Sequence, residues 1–289
     1  IDNAAGVDIS DHEVNLKILL RPAVEAGEIT TKERDRLLTD VCDDVVASVL
    51  ADCSLQSMAL TRAVATSPAR MAATEALMEE LEAGGVVDRA VEALPTREDM
   101  RAREEAGAGL TRPELAVLLA GAKRNLAARL LSSTVPDQPA LRAALAGYFP
   151  PLMVERFGHH LDGHRLRREL VASAVANDVV NRMGATFVTR LAADTGATPA
   201  EVAAAYWIAR TVVSAPQLWA ELDTDEDGVP PTAKVLAAAP VVSDLLEAVT
   251  RDYLRRHETD DIALVAARDQ PALAEVAGAV AELGTPYRR

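Results

Sequence analysis

The feature that most constrains this chain is a start signal for helices that recurs along it. Ser10-Asp11-His12-Glu13, Thr30-Thr31-Lys32-Glu33, Thr111-Arg112-Pro113-Glu114 and Thr198-Pro199-Ala200-Glu201 each read S/T-x-x-E. In such a capping box the hydroxyl accepts from an N–H of the first turn, and the carboxylate accepts from the cap residue's own N–H. Pro199 takes the favoured first-turn position, and Ser67-Pro68 opens a helix in the same way. Gly84-Gly85 closes that helix, because Gly tolerates the left-handed conformation. These signals and the apolar spacing predict helices near 10–20, 31–65, 68–82, 112–132, 139–147, 163–194, 199–222, 232–256 and 270–283. Shorter ones are expected near 86–93, 96–105 and 152–158. No stretch sustains the alternation of β-branched residues that a strand needs. Hydrophobic residues make up 49% of the chain, largely as Ala and Leu, while aromatics are 3%, a composition of closely packed helices. The expected fold is an all-α bundle of about ten or more helices with no substantial sheet beyond a strand remnant at 1–7.

A chain of 289 residues can bury a core without staples. Breaks fall at Gly107-Ala108-Gly109, Val135–Pro139, Phe149-Pro150-Pro151 and Asp223–Pro231, and the Pro-rich stretch 135–151 suggests a subdomain boundary. The net charge of −14 argues against nucleic acid and anionic membrane as partners, since both reward clustered positive charge. No apolar run approaches the ~20 residues of a membrane span, and no signal peptide is visible. Cys42 and Cys53 stand three turns apart in one helical pattern, ~16 Å along the axis. A disulfide needs Cα atoms within ~7 Å, so two free thiols are expected, as in a reducing cytoplasm. The chain does not begin with Met, and we expect it to be a piece of a longer protein.

Several chemical motifs start and fail. His12-Glu13 suggests a zinc-protease helix, but the second His belongs at position 16, which is Leu16. Asp223-Thr224-Asp225-Glu226-Asp227-Gly228 resembles half of a calcium loop. Its twelfth position is Lys234 rather than a bidentate Glu, and Pro230-Pro231 interrupt it, so an acidic solvated turn is the reading. His159, His160, Asp162 and His164 form the densest group of metal-type side chains. Gly158 and Gly163 flank them and no further ligand follows at good spacing, so a polar bend is expected and no metal. Asn177 and Asn181 share a helix face, as do Asp178 and Arg182. Buried amides need partners, and an interhelical hydrogen-bond network is the expected role. There is no complete G-x-G-x-x-G, no phosphate loop, no G-x-S-x-G and no C-x-x-C, so the chain carries no complete catalytic constellation.

The opening stretch Asn3-Ala4-Ala5-Gly6-Val7-Asp8-Ile9-Ser10-Asp11-His12-Glu13 resembles the N-A-G-G-V-x-x-S-x-x-E segment of glutamate dehydrogenases. Ala5 departs from that family's Gly, and Asp11-His12 from its usual aromatic pair. The longer phrase through Leu20 is similar to the very large bacterial NAD-specific branch of the family. So are Leu110–Leu119, His164-Arg165-Leu166-Arg167-Arg168-Glu169, and Ala176–Gly184 followed by Thr186-Phe187-Val188. The likeness covers most of residues 1–210 and weakens after about 220.

The resemblance implies that residues 1–20 end a dehydrogenase catalytic domain and enter a connecting helix, and that 21–289 form a C-terminal helical domain. The parent would oxidatively deaminate L-glutamate to 2-oxoglutarate and ammonia with NAD, as a cytoplasmic homo-oligomer. Asn3 matches a position near the coenzyme, and Val7 and Ser10 match positions lining the pocket for the substrate's side-chain carboxylate. Read as a helix N-cap, Ser10 would sit where free N–H groups and the helix dipole attract a carboxylate. The catalytic Lys and Asp and the dinucleotide-binding glycines would lie upstream, so this chain alone is expected to be inactive. Two other readings remain: a regulatory or ligand-sensing helical module, and a free-standing helical interaction protein.

Overall fold

The computed structural model describes residues 2–223 and 232–270. Thirteen α-helices and no strand are found among them. They are α1 (Asp2–Glu25), α2 (Thr31–Asp40), α3 (Cys42–Thr66), α4 (Met71–Ala83), α5 (Arg97–Glu105), α6 (Arg112–Leu131) and α7 (Arg142–Gly147). They continue with α8 (Pro151–Phe157), α9 (Arg167–Met183), α10 (Phe187–Thr195), α11 (Pro199–Val212), α12 (Ala215–Asp223) and α13 (Thr232–Arg256). Helical backbone resumes over 262–270. The calcium-like turn and the helix expected at 270–283 lie, apart from their first residues, outside the described residues.

Three of the four sequence boxes form. Thr30 N–H donates to Glu33 at 2.7 Å, Thr111 N–H to Glu114 at 2.7 Å and Thr198 N–H to Glu201 at 2.7 Å. Thr96 and Asp99 make a fourth with a shorter carboxylate. Ser10 and Glu13 do not. α1 already runs from Asp2, so Ser10 is a helix-interior residue and the strand remnant at 1–7 is replaced by helix. Residues 2–9 hold no proline and only one glycine, so nothing stops the helix from extending back through them. Glu13 instead pairs with Lys17 one turn on, at 2.5 Å.

The long expected helices divide where the backbone turns. The 31–65 stretch breaks at Val41, which leaves the helical region with its side chain fully buried. The 163–194 stretch breaks at Gly184 (φ 90°, ψ 160°), a conformation open essentially to glycine alone. The 199–222 stretch breaks at Ser214 (φ 53°). No helix forms over 86–93. There the chain wraps the end of α4, with Val86 N–H donating to Leu81 O at 2.9 Å and the Asp88 carboxylate accepting from Ala90 and Val91.

Buried side chains from α1 through Ala266 join in one apolar cluster. α11 runs through it: Val202 to Ile208 are almost wholly enclosed, as expected of a helix apolar on every side. Its four buried alanines let α9, α10 and α13 approach, and buried Tyr206 donates to Asp178 at 3.0 Å. α6 packs along α9, and at Gly121 a Cβ would stand 2.8 Å from Leu81. α1 lies on α3 at one side, with Leu16, Leu19, Leu20 and Ala23 facing inward. Cys42 and Cys53 fall in the single helix α3 and are both free.

Candidate functional site

α1 has two opposed faces. At 100° per residue, Asn3, Val7, Ser10 and Val14 fall within roughly 60° of arc, and Leu16, Leu19, Leu20 and Ala23 centre on the opposite side. Val7 is 59% exposed, Val14 50%, and Ser10 is exposed as well. Asn3 lies on the described backbone of α1, and its side chain lies outside the described residues. The helix N-terminus expected to strengthen Ser10 as a carboxylate site is absent at that position, since two turns of α1 precede it.

The inner face carries a polar and aromatic cluster that no local pattern announced. His12, 6% exposed, stacks on Tyr148 with ring centroids 4.1 Å apart and planes 6° from parallel. Asn15 Nδ2 donates to Tyr148 Oη at 3.0 Å and to Asp11 O at 2.9 Å. His164 Nε2 lies 3.1 Å from Asn15 O, while its Nδ1 accepts from Leu166 N–H. A cleft of about 600 Å³ opens beside the stack, bordered by His12, Asp44, Ser48, Tyr148, Pro151 and Glu155. Burial holds the His12 imidazole below its ordinary pKa despite Asp8 and Asp11, and burial likewise lowers His164. Burial also raises the Tyr148 phenol to about 12. The cluster therefore presents a neutral imidazole and a protonated hydroxyl at pH 7, able to exchange hydrogen bonds but not charge. His12 Nδ1 and Asn15 Oδ1 are buried without a hydrogen-bond partner among the described residues.

Two other groupings lie nearby. Lys123 of α6 is lowered to about 8 by burial, opposed by Asp52 of α3 and Asp8 of α1. On α9 the polar network centres on Asp178 rather than on the two amides. Asp178 accepts from Tyr206 at 3.0 Å and Arg210 Nε at 2.8 Å, while Asn181 is 4% exposed with an unpartnered Oδ1.

The histidine-rich segment is a 3₁₀ helix, Gly158–Gly163, and its side chains disperse. Asp162 turns to Arg142 at 3.3 Å, and His164 is the buried residue bound to α1. His159 and His160 point the other way, toward Glu28 in the turn after α1.

Comparison with known proteins places these elements. Residues 107–286 match the family model for the C-terminal part of glutamate dehydrogenase, and residues 1–63 match that for the bacterial NAD-glutamate dehydrogenase catalytic domain. The chain is 44% identical over 269 residues to an NAD-specific glutamate dehydrogenase of Pseudomonas aeruginosa, covering 93% of this chain and 16% of that protein. It is 40% identical to those of Halomonas elongata, with 89% of this chain and 16% of the relative covered, and Mycobacterium tuberculosis, with 76% and 14%. It thus spans about a sixth of the length of these relatives. A C-terminal family model that takes in α6 through α13, with identity of this level across nearly the whole chain, means that the chain belongs to the bacterial glutamate dehydrogenase family.

Proposed function

We propose that this chain is the C-terminal helical part of a cytoplasmic NAD-dependent glutamate dehydrogenase that deaminates L-glutamate to 2-oxoglutarate and ammonia. When bound, NAD would supply the acceptor for the hydride leaving the substrate α-carbon. The residues that catalyse the transfer belong to a catalytic domain upstream, and the present chain is inactive alone. Residues 1–20 end that domain and residues 21–289 form the helical domain, which supports it and the homo-oligomer. Asn3 faces the coenzyme, and Val7 and Ser10 border the pocket for the substrate's distal carboxylate.

The observation that carries this reading is the stripe on α1. The positions that match the family's site segment share one face, and that face is turned away from the helical core. An exposed stripe bearing Val7 and Val14 fits burial against another body of protein. The test is Ser10→Ala in the full-length enzyme. KM for glutamate rises several-fold while the melting temperature stays put, because a helix-interior Ser loses nothing as Ala. Unchanged kinetics would remove Ser10 from the site.

A second reading, a ligand-sensing module, is favoured by one observation: the cleft beside His12 and its unpartnered Nδ1. It requires that removing this Nδ1 with His12→Phe alter the full enzyme's response to a small molecule without altering its basal KM.

A further inference from the structure

The turn after α1 and the 3₁₀ helix Gly158–Gly163 bring together three side chains that are far apart in sequence. Glu28 Oε1 stands 3.3 Å from His160 Nε2, and Glu28 Oε2 stands 3.5 Å from His159 Nε2. The three residues can place one ligand atom each within 4.8 Å of one another. The two imidazoles lie side by side, with centroids 4.0 Å apart. We propose that Glu28, His159 and His160 form a binding site for a divalent transition-metal ion of the zinc class.

The spacing is the first reason. A charge-assisted N–H···O bond between imidazole and carboxylate closes to about 2.7–2.9 Å, and these contacts do not. Two donors on one tetrahedral ion with bonds of about 2.0–2.1 Å stand about 3.3 Å apart. The 3.3 Å between Glu28 Oε1 and His160 Nε2 lies at that edge length, while His159 Nε2 meets the other carboxylate oxygen, Oε2, at 3.5 Å. His160 Nε2 is the second reason. It is buried and makes no hydrogen bond, although the carboxylate is close by. A lone pair directed at a cation satisfies it where a misaligned hydrogen bond does not.

The donor set and its support agree. Two imidazoles and one carboxylate suit zinc, and cobalt, nickel and copper in the order of the divalent series, rather than calcium or magnesium. One coordination position stays open for water. The backbone that carries the donors is fixed on both sides. Gly27 adopts φ 75°, which lets Glu28 N–H donate to Ala23 O at 2.9 Å and fixes the turn. On the other side Leu161 is fully buried, and Arg142 Nη2 donates to Gly158 O at 3.0 Å. An ion here ties the end of α1 to the segment whose next histidine, His164, holds Asn15 on the same helix.

The test uses the full-length enzyme without an affinity tag, as wild type, Glu28→Gln, His159→Asn, His160→Asn and Asp162→Asn. Metal-free protein is titrated with Co²⁺ and followed by its visible absorption, then with Zn²⁺ in competition. Each of the three ligand variants loses affinity by about 100-fold or more, beyond the 10–100-fold cost of disturbing an outer residue. Asp162→Asn keeps the ion, because its carboxylate faces Arg142. Zn²⁺ raises the melting temperature of wild type and not of the ligand variants. Equal affinity in wild type and all three ligand variants would overturn the proposal, and so would loss of the ion in Asp162→Asn.

Discussion

Glu247 of α13 is held by two cations, and its removal has a size and a pH dependence that follow from the geometry. Arg190 of α10 grips both carboxylate oxygens at 2.9 and 2.6 Å, and Arg251 adds a third contact at 2.8 Å. Hydrogen bonding to Arg190 leads the causes that depress the Glu247 pKa to about 2 from 4.5. A folded-state pKa below the unfolded one stabilises the protein above pH 4.5, and that stability is lost as pH falls toward 2. The full shift corresponds to about 3.4 kcal/mol at 1.36 kcal/mol per unit. The side chain is 19% exposed, so screening trims this to about 2–3 kcal/mol. Glu247→Gln should lower the unfolding free energy by that amount at pH 7. By pH 3.5 linkage has removed roughly two-fifths of the difference. Urea denaturation of wild type and variant at pH 7, 5 and 3.5 measures it, and the charge on the rest of the chain cancels between the two. A difference under about 0.5 kcal/mol at pH 7 would mark an ordinary surface pair, and a difference that ignores pH would refute the titration argument.

Gly109→Ala should cost about 1–3 kcal/mol, because its Cβ would stand 2.6 Å from Ser67 Oγ, which itself accepts from Leu110 N–H. A thermal melt reads the loss, and Gly107→Ala, with open space around it but φ 65°, separates steric from backbone strain. Gly184→Ala should cost about 1–3 kcal/mol for backbone reasons alone, since no atom lies within 4 Å of the added methyl. Tyr148→Phe should retain the stack on His12 while releasing Asn15 Nδ2, a loss of about 1 kcal/mol in denaturant; no loss would mean that Asn15 holds nothing there.

What was legible in the sequence is what short-range chemistry writes there. Capping boxes at Thr30, Thr111 and Thr198 and the glycine stop at Gly84-Gly85 mark helix ends because donor and acceptor sit three residues apart. Ser10-x-x-Glu13 shows the limit of the same rule. The pattern also arises by helical spacing in the interior of α1, and only the residues before it decide. The break at Val41 carries no glycine or proline, and burial of Val41 in the core sets it, a tertiary effect; the break at Ser214 has Pro216 two residues on, which cannot continue the ladder of the helix before it. The cluster on the inner face of α1 lay beyond reach for a plainer reason. His12 and Tyr148, Asn15 and His164, and Glu28 and His160 are each more than a hundred residues apart. Nothing in either partner's neighbourhood announces the other.

α1 has its outer stripe aimed by its inner contacts. One rigid helix carries both, so the direction of Val7 and Ser10 is set by where Leu16, Leu19, Leu20, His12 and Asn15 settle on the bundle. A slip of one residue turns every side chain by 100°. It would carry Val7 into the core side and bring Leu20, fully buried, out toward solvent. Exposing one such leucine costs about 1.5–3 kcal/mol, and the slip would also break the Asn15 bonds to Tyr148 and His164. The register of α1 is thus locked from within by apolar burial and by polar contacts that only one rotation permits. Positions on a helix held this way are oriented without a loop whose ordering would cost entropy.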